Sequence, residues 1–305
     1  PYGFRIGITR DWQAKWYADK HYAELLREAL NLPQDIQKRS AEADVSSGSG
    51  VGGGLVSHNI IKSVGLGALA LGSLVEKALQ DPTSVWTWQD VITAAITQEP
   101  YFAPGTGYAY SSTNFTLLGV IVEAVTGTSL NAEMGRRIVE PLGFTNTFLA
   151  ESEEVPEGVI HGYGTLPDGT NFDIAKIPNT AFDTASWATG SMVSSAGDLA
   201  HWAKALYSGK GDIVDDEILD EMLTFEPSFG PAPSVLHGLG VFRYETPVGV
   251  ALGHTGTWFG FSSRMMYFPD LDVTLVVLVN QHFMNTSPIA DAAMEIVTGA
   301  SVDGQ

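Results

Sequence analysis

The 305-residue chain sets 35 acidic against 16 basic residues, a formal charge of −19 with a pI near 4.5. A field of that sign repels nucleic-acid phosphate and anionic membrane surfaces, so neither is expected as a partner. With no cysteine, disulfides, thiolate nucleophiles and zinc–thiolate centres are excluded, while a 44% hydrophobic share with seven Trp suffices for a sizeable core in one large domain or two interleaved ones.

The chain opens at Pro1 with neither an initiator Met nor a signal-peptide pattern, which reads as a processed, truncated or incompletely represented start. Tyr2 to Thr9 alternates as a short strand, and Trp12 to Leu30 has helical periodicity until Leu32-Pro33 breaks it. Residues 46 to 54 are almost entirely Gly and Ser, the composition of a linker or flexible loop. Ile60 to Leu79 reads as a helix diluted by Gly65, Gly67 and Gly72, each costing about 1 kcal/mol of propensity relative to Ala. Its most apolar run, Ser63 to Val75, is too short to span a bilayer, and no transmembrane segment is expected.

Asp81-Pro82-Thr83-Ser84 turns the chain into a short helix over Trp88 to Thr97. The next stretch, Pro104 to Gly127, organises the rest. A Pro-Gly turn and a short aromatic segment lead to Ser111, after which Phe115, Leu118, Val122 and Val125 recur at helical spacing until Gly127, a natural C-cap. Tyr110 thus falls at the mouth of a helix whose first turn carries Ser111, Ser112 and Thr113, where hydroxyls can cap backbone N–H groups and the helix dipole favours negative charge. Leu130 to Val139 is helical and ends at Pro141-Leu142-Gly143, and residues 150 to 185 form a long irregular section of the kind that builds walls or lids.

Asp198 to Tyr207 and Asp215 to Thr224 read as helices. The pattern then switches to strands over Val235 to Glu245, Val248 to His254, Phe261 to Phe268 and Val273 to Asn280, joined by turns at Pro247, Thr257 to Gly260 and Pro269 to Asp272. A last helix, Pro288 to Val297, is apolar on one face. Helices followed by an antiparallel meander predict an α+β fold.

Three segments carry a resemblance. Pro104-Gly105-Thr106 with Tyr110-Ser111-Ser112-Thr113-Asn114, Ala185 to Ser195 with Asp198-Leu199, and Gly253-His254-Thr255-Gly256-Thr257 closely resemble the class C β-lactamase and D-alanyl-D-alanine carboxypeptidase superfamily of penicillin-recognising serine hydrolases. With Phe4-Arg5-Ile6-Gly7 the resemblance spans nearly the whole chain, tight from about Asp81 to Val297 and loose before it. It implies a β-lactamase/transpeptidase-like fold, with residues 1–30 and 190–305 forming the sheet region and 31–189 a mainly helical region of one catalytic unit. It also implies an exported protein without cofactor that hydrolyses a D-amino-acid peptide, β-lactam or ester through an acyl-enzyme. A small molecule or short peptide is then the partner.

By resemblance Tyr110 is the base of the second motif, and His254, Thr255 and Gly256 form the third. A phenol, with a pKa near 10 in water, works as a base at neutral pH only beside positive charge, which His254 and the family's lysine would supply. Thr257 N–H would be one oxyanion donor, the other being the nucleophile's own amide, and Trp187 would line the cleft or belong to the core. Ser112 stands where the family usually has Asn, a loss that Asn114, one turn from Tyr110, could offset. The family's first motif, Ser-x-x-Lys, is not found: Ile8, Thr9, Arg10 and Asp11 follow Gly7, and no lysine in the chain has a serine three residues before it. Arg10 cannot exchange protons as a lysine does, so the nucleophile stays unassigned. Gly238-Leu239-Gly240-Val241 is followed by Phe242, with Arg243 on the opposite strand face, which favours an esterase or amidase over a dedicated carboxypeptidase. The two strands that precede Phe-Arg-Ile-Gly in the family are absent as well, leaving a sheet edge unprotected. The other histidines, His21, His58, His161, His201, His237 and His282, lack metal-ligand spacing and read as structural.

Overall fold

In the computed structural model the described residues are 80–96, 111–150, 159–165, 171–176, 178–209, 213–227, 235–258, 260–282 and 284–299. The expected strand at Tyr2 to Thr9, the helices of residues 12–30 and 60–79, and Tyr110 itself lie outside them.

The helical part begins with α1 (Trp88–Ile96) and α2 (Thr113–Thr126). Ahead of α1, Thr87 N–H donates to the Asp90 carboxylate at 2.8 Å and Asp90 N–H donates to Thr87 Oγ1 at 3.3 Å, a reciprocal cap that fixes the helix start. Helix α2 ends where Gly127, at φ 70, closes it with an N–H bond to the Glu123 carbonyl, a conformation that favours glycine. Its start differs from expectation: Ser112 occupies the N-cap with helical φ and ψ and makes no side-chain cap bond. The helix expected over Leu130 to Val139 divides into α3 (Leu130–Met134) and a π-helical turn over Gly135–Val139. The wide turn places Arg136 and Arg137 on the buried Glu133 carboxylate at 2.7 and 2.5 Å. Those bonds hold the Glu133 carboxyl down at about 2.

Residues 150 to 185 carry more structure than their composition suggests. They contain β2 (Tyr163–Thr165) paired with β3 (Asn171–Asp173), a 3₁₀ turn over Ile174–Lys176, and the start of α4 (Thr180–Ser186), while β1 (Phe148–Leu149) before them pairs with β4 (Met192–Val193). Helix α4 was not visible in the pattern because it is short and mixed. It forms because Ala181 and Phe182 bury against Trp86 and Trp258. Helix α5 (Ala196–Tyr207) is capped by Ser195 Oγ, and the Asp198 carboxylate ties the preceding loop by accepting from Asn146 N–H at 3.0 Å and Thr147 Oγ1 at 2.7 Å. Helix α6 (Asp216–Met222) is capped by Asp215, which accepts from Ile218 N–H at 3.0 Å.

A six-stranded antiparallel sheet follows in the order β10-β9-β8-β7-β6-β5. The strands are β5 (Glu226–Pro227), β6 (Val235–His237), β7 (Phe242–Thr246), β8 (Gly249–Trp258), β9 (Phe261–Phe268) and β10 (Val273–Val279). The single strand expected over Val235 to Glu245 is broken by a turn in which Gly238 N–H bonds the Val241 carbonyl at 2.8 Å, with Gly240 at φ 71. Strand β8 runs four residues past its expected end at His254, because Thr255 to Trp258 pair in register with β9 as far as the Trp258–Phe261 pair. Helices cover both faces. Leu206, Tyr207 and Leu219 of α5 and α6 pack on Val241, Leu252 and Tyr267, whereas Ala290 and Met294 of α7 (Ser287–Thr298) pack on Ala251, Met266, Phe268 and Val277. No single helix among the described residues is long and apolar enough to cross a membrane.

Candidate active site

The expected site residues of the third motif lie on β8, and close contact with β9 decides two of them. A Cβ at Gly253 would collide with the Met265 carbonyl, so the strands reach their pairing distance there only with glycine, whereas one at Gly256 would lie 2.5 Å from the rotatable Ser263 Oγ. Strand β7 reaches β8 only as far as the Phe242–Gly253 pair. Residues 254 to 258 are therefore paired by β9 alone among the named strands, and the Thr257 backbone lies in this overhanging stretch.

The His254 imidazole stacks on Phe242 with ring centroids 4.0 Å apart and 27° between planes, while His237 meets the same Phe242 edge-on at 4.6 Å. His254 Nδ1–H donates to the Thr255 carbonyl at 2.6 Å, which leaves Nε2 as the unprotonated nitrogen. Burial pushes the His254 pKa down, opposed by that backbone bond, and pushes His237 down as well. The imidazolium that the sequence suggested as a stabiliser of a phenolate is thus disfavoured by desolvation, and the neutral ring is a hydrogen-bonding and proton-accepting group.

The second motif's helix approaches this strand. Phe115, in the first turn of α2, comes to 3.8 Å from the position of a Cβ on Gly240, in the turn that leads into Phe242 and hence to the His254 ring. Ser112 is buried at the start of that helix, and Asn114 is exposed with its N–H on the Ser111 carbonyl at 3.3 Å. One turn after Ser112, the Thr116 hydroxyl is buried without a hydrogen-bond partner among the described residues. The described chain resumes at Ser111, directly after Tyr110.

Trp187 is the third component. It follows α4 with φ 34 and ψ −110, a positive φ that is costly for a residue with a Cβ. Its N–H bonds the Asp183 carbonyl, and Ser191 Oγ donates to the same carbonyl at 2.7 Å. The indole lies on α2: a Cβ at Gly119 would fall 2.9 Å from two of its ring atoms and 2.8 Å from Ala188 Cβ. At the far end of β8, Trp258 meets Phe182 of α4 edge-on at 6.3 Å. Sequence reasoning missed Asp183, whose burial at 5% exposure pushes its carboxyl up to about 7. Its only sequence signal is an acidic residue between Phe182 and Ala185 in a segment otherwise apolar or hydroxylic.

An antiparallel sheet with a helical part set against one overhanging strand, and a His-Thr-Gly segment on that strand, defines a β-lactamase/transpeptidase-like α+β architecture. The Beta-lactamase family model matches residues 62–298, and the chain belongs to that family. A D-stereospecific amidohydrolase from Streptomyces sp. superposes with a TM-score of 0.67 at 22% identity, covering 98% of this chain and 87% of that one. The D-amino acid amidase of Ochrobactrum anthropi SV3 in complex with L-phenylalanine amide gives 0.62 at 25% identity, covering 72% and 65%. The octameric penicillin-binding protein homologue from Pyrococcus abyssi gives 0.65 at 25% identity, covering 80% and 55%. The Beta-lactamase family thus shares its fold with an amidohydrolase, an amidase and a penicillin-binding protein homologue.

A separate likeness concerns 47 residues, 53% identical to small ribosomal subunit protein uS3 of Lactobacillus gasseri and 57% identical to that of Streptococcus uberis. It covers 15% of this chain and about a fifth of the length of those ribosomal relatives. Outside the Beta-lactamase match only residues 1–61 offer 47 contiguous positions, and seven of the chain's 16 basic residues fall there. Phe4-Arg5-Ile6-Gly7 lies in that part, outside the family match.

Proposed function

We propose that the chain is a hydrolase of the penicillin-recognising serine type that cleaves a small amide, with a D-amino-acid amide or short D-peptide as the substrate class and β-lactams or esters as alternative acyl donors. The observation that carries this reading is the overhang of β8, where residues 254 to 258 lie beyond β7 and α2 approaches through Phe115. The names of the amidohydrolase and amidase neighbours support the choice of an amide.

In this reading Tyr110, which directly precedes Ser111 in the sequence, is the general base, and the neutral His254 is the hydrogen-bonding group of the third motif. The Thr257 N–H receives the oxyanion on the strand edge that β7 does not occupy. Thr255 and Gly256 keep the edge flat against a substrate backbone, Ser112 and Asn114 present polar groups from the helix, and Trp187 fixes the helical wall through Gly119. The nucleophile is a hydroxyl not yet assigned.

A second reading is favoured by one specific observation, that no serine stands three residues before any lysine of the 305. In it the chain binds such ligands without turning them over. Hydrolysis of D-phenylalanine amide, L-phenylalanine amide, p-nitrophenyl acetate and nitrocefin, by the parent and by Tyr110→Phe, separates the two. Turnover that falls at least about 100-fold in Tyr110→Phe supports the enzyme. Turnover unchanged by that substitution refutes the assigned base, and saturable binding with no turnover establishes the second reading.

A further inference from the structure

Among the described strands, residues 254 to 258 of β8 are paired by β9 alone, so this stretch is held by one ladder and is free to roll about it unless something outside the ladder fixes its end. An oxyanion donor stabilises charge only if it is held in place before the charge forms. Restraints from three elements converge on the residues just past Thr257. The Trp258 indole meets Phe182 of α4 edge-on at 6.3 Å and packs on the cluster that Phe182 forms with Ala181 and Trp86. Gly260, at φ 81, lies so close to β2 that a Cβ on it would fall 2.7 Å from the Gly162 carbonyl carbon, and its own carbonyl accepts from Tyr163 N–H at 3.2 Å. The third restraint is His282, in the loop after β10. Its Nδ1–H donates to the Trp258 carbonyl at 2.8 Å, and its backbone N–H donates to the Tyr163 carbonyl at 2.8 Å.

We propose that His282 is the positioning residue of the oxyanion edge: by holding the Trp258 carbonyl it fixes the end of β8 and, one residue before it, the direction of the Thr257 N–H. The inference rests on the reading of Thr257 as the oxyanion donor. His282 suits the task because it joins two of the converging restraints, its side chain on β8 and its main chain on β2. The Tyr163 N–H closes the same knot by donating also to the Asn280 carbonyl at 3.0 Å, two residues before His282. Burial pushes the His282 pKa down, so at neutral pH the ring has a single proton, and a carbonyl partner requires that proton on Nδ1. The imidazole therefore acts here as a fixed donor to the strand and takes no proton from the substrate.

The test compares the full chain with His282→Ala and His282→Asn. Asparagine bears its amide N–H on Cγ, as histidine bears Nδ1, and so keeps a donor for the Trp258 carbonyl. The readouts are amide hydrogen exchange over residues 254–258, with residues 264–268 of β9 as the reference, and hydrolysis of D-phenylalanine amide and nitrocefin. His282→Ala is expected to speed exchange over 254–258 at least about tenfold while 264–268 stay within about twofold, and His282→Asn to stay within about threefold of the parent. In hydrolysis His282→Ala should lower kcat at least about tenfold with KM within about twofold, and His282→Asn should recover most of the loss. Exchange over 254–258 that His282→Ala leaves unchanged overturns the proposal, as does an equal rise in both variants or a rise that extends through 264–268. So does an active parent whose kcat survives His282→Ala. A parent that hydrolyses neither substrate counts against the proposed function, and the exchange comparison, which needs no turnover, then decides the role of His282 by itself.

Discussion

Asp183→Asn tests the electrostatics of the helical wall. The parent carboxyl is 5% exposed, and burial alone accounts for its rise from the ordinary 3.8 to about 7. A shift of about 3 units is worth at most about 4 kcal/mol between the two protonation states. The sign follows from linkage. The unfolded chain loses this proton near pH 4 while the native state keeps it to about 7, so the stability associated with the neutral form is complete below about pH 4 and is lost as pH rises through about 7. Asparagine has no charge to bury but keeps a polar group that needs partners, so a net gain of about 1–3 kcal/mol is expected at pH 8 and none or a slight loss at pH 4. Urea unfolding of parent and variant from pH 4 to pH 8, scored as the difference between them, is the assay. A variant less stable than the parent at pH 8 would refute the reasoning, because it would mean that the carboxylate is ionised and held by a partner.

Gly253→Ala and Gly256→Ala should differ sharply in urea melts. The first forces a methyl into the Met265 carbonyl and costs at least about 3 kcal/mol, while the second meets only the rotatable Ser263 hydroxyl and costs under about 1.5 kcal/mol, relieved by Ser263→Ala. Gly119→Ala places a methyl against the Trp187 ring, so overpacking of about 1–3 kcal/mol outweighs the helix propensity gain of about 1 kcal/mol. The net loss should shrink in the Trp187→Ala background, measured by a double-mutant cycle. Thr116→Val removes a buried hydroxyl without a partner among the described residues and should stabilise by about 1 kcal/mol in thermal unfolding.

What the sequence shows of this fold is what local chemistry decides. Apolar spacing and Gly127 define α2, and the turn residues around Phe261–Phe268 place β9 with the ends it has in the structure. Helix α4 escapes such reading because Thr-Ala-Phe-Asp-Thr-Ala-Ser gains its stability from Trp86 and Trp258, residues remote in sequence. The end of β8 escapes it for a related reason: Thr-Gly-Thr has the composition of a turn, and only the ladder with β9 keeps it extended. At the site, His254 is legible as a residue but not as a charge state, since the Phe242 ring and the surrounding burial that hold it neutral belong to the tertiary structure. The role of Trp187 depends on Gly119, and no spacing rule connects them. The expectation for the first motif rested on Phe4 to Gly7, which lies outside the Beta-lactamase match.

The central claim is that this chain performs acyl transfer through a hydroxyl of its own. Intact-mass measurement after exposure to a penicillin, followed by peptide mapping across all 305 residues, tests it most directly. The account predicts one covalent penicilloyl group per chain, on a serine or threonine, lost or strongly slowed in Tyr110→Phe. A chain that binds the penicillin reversibly and gains no mass would contradict it.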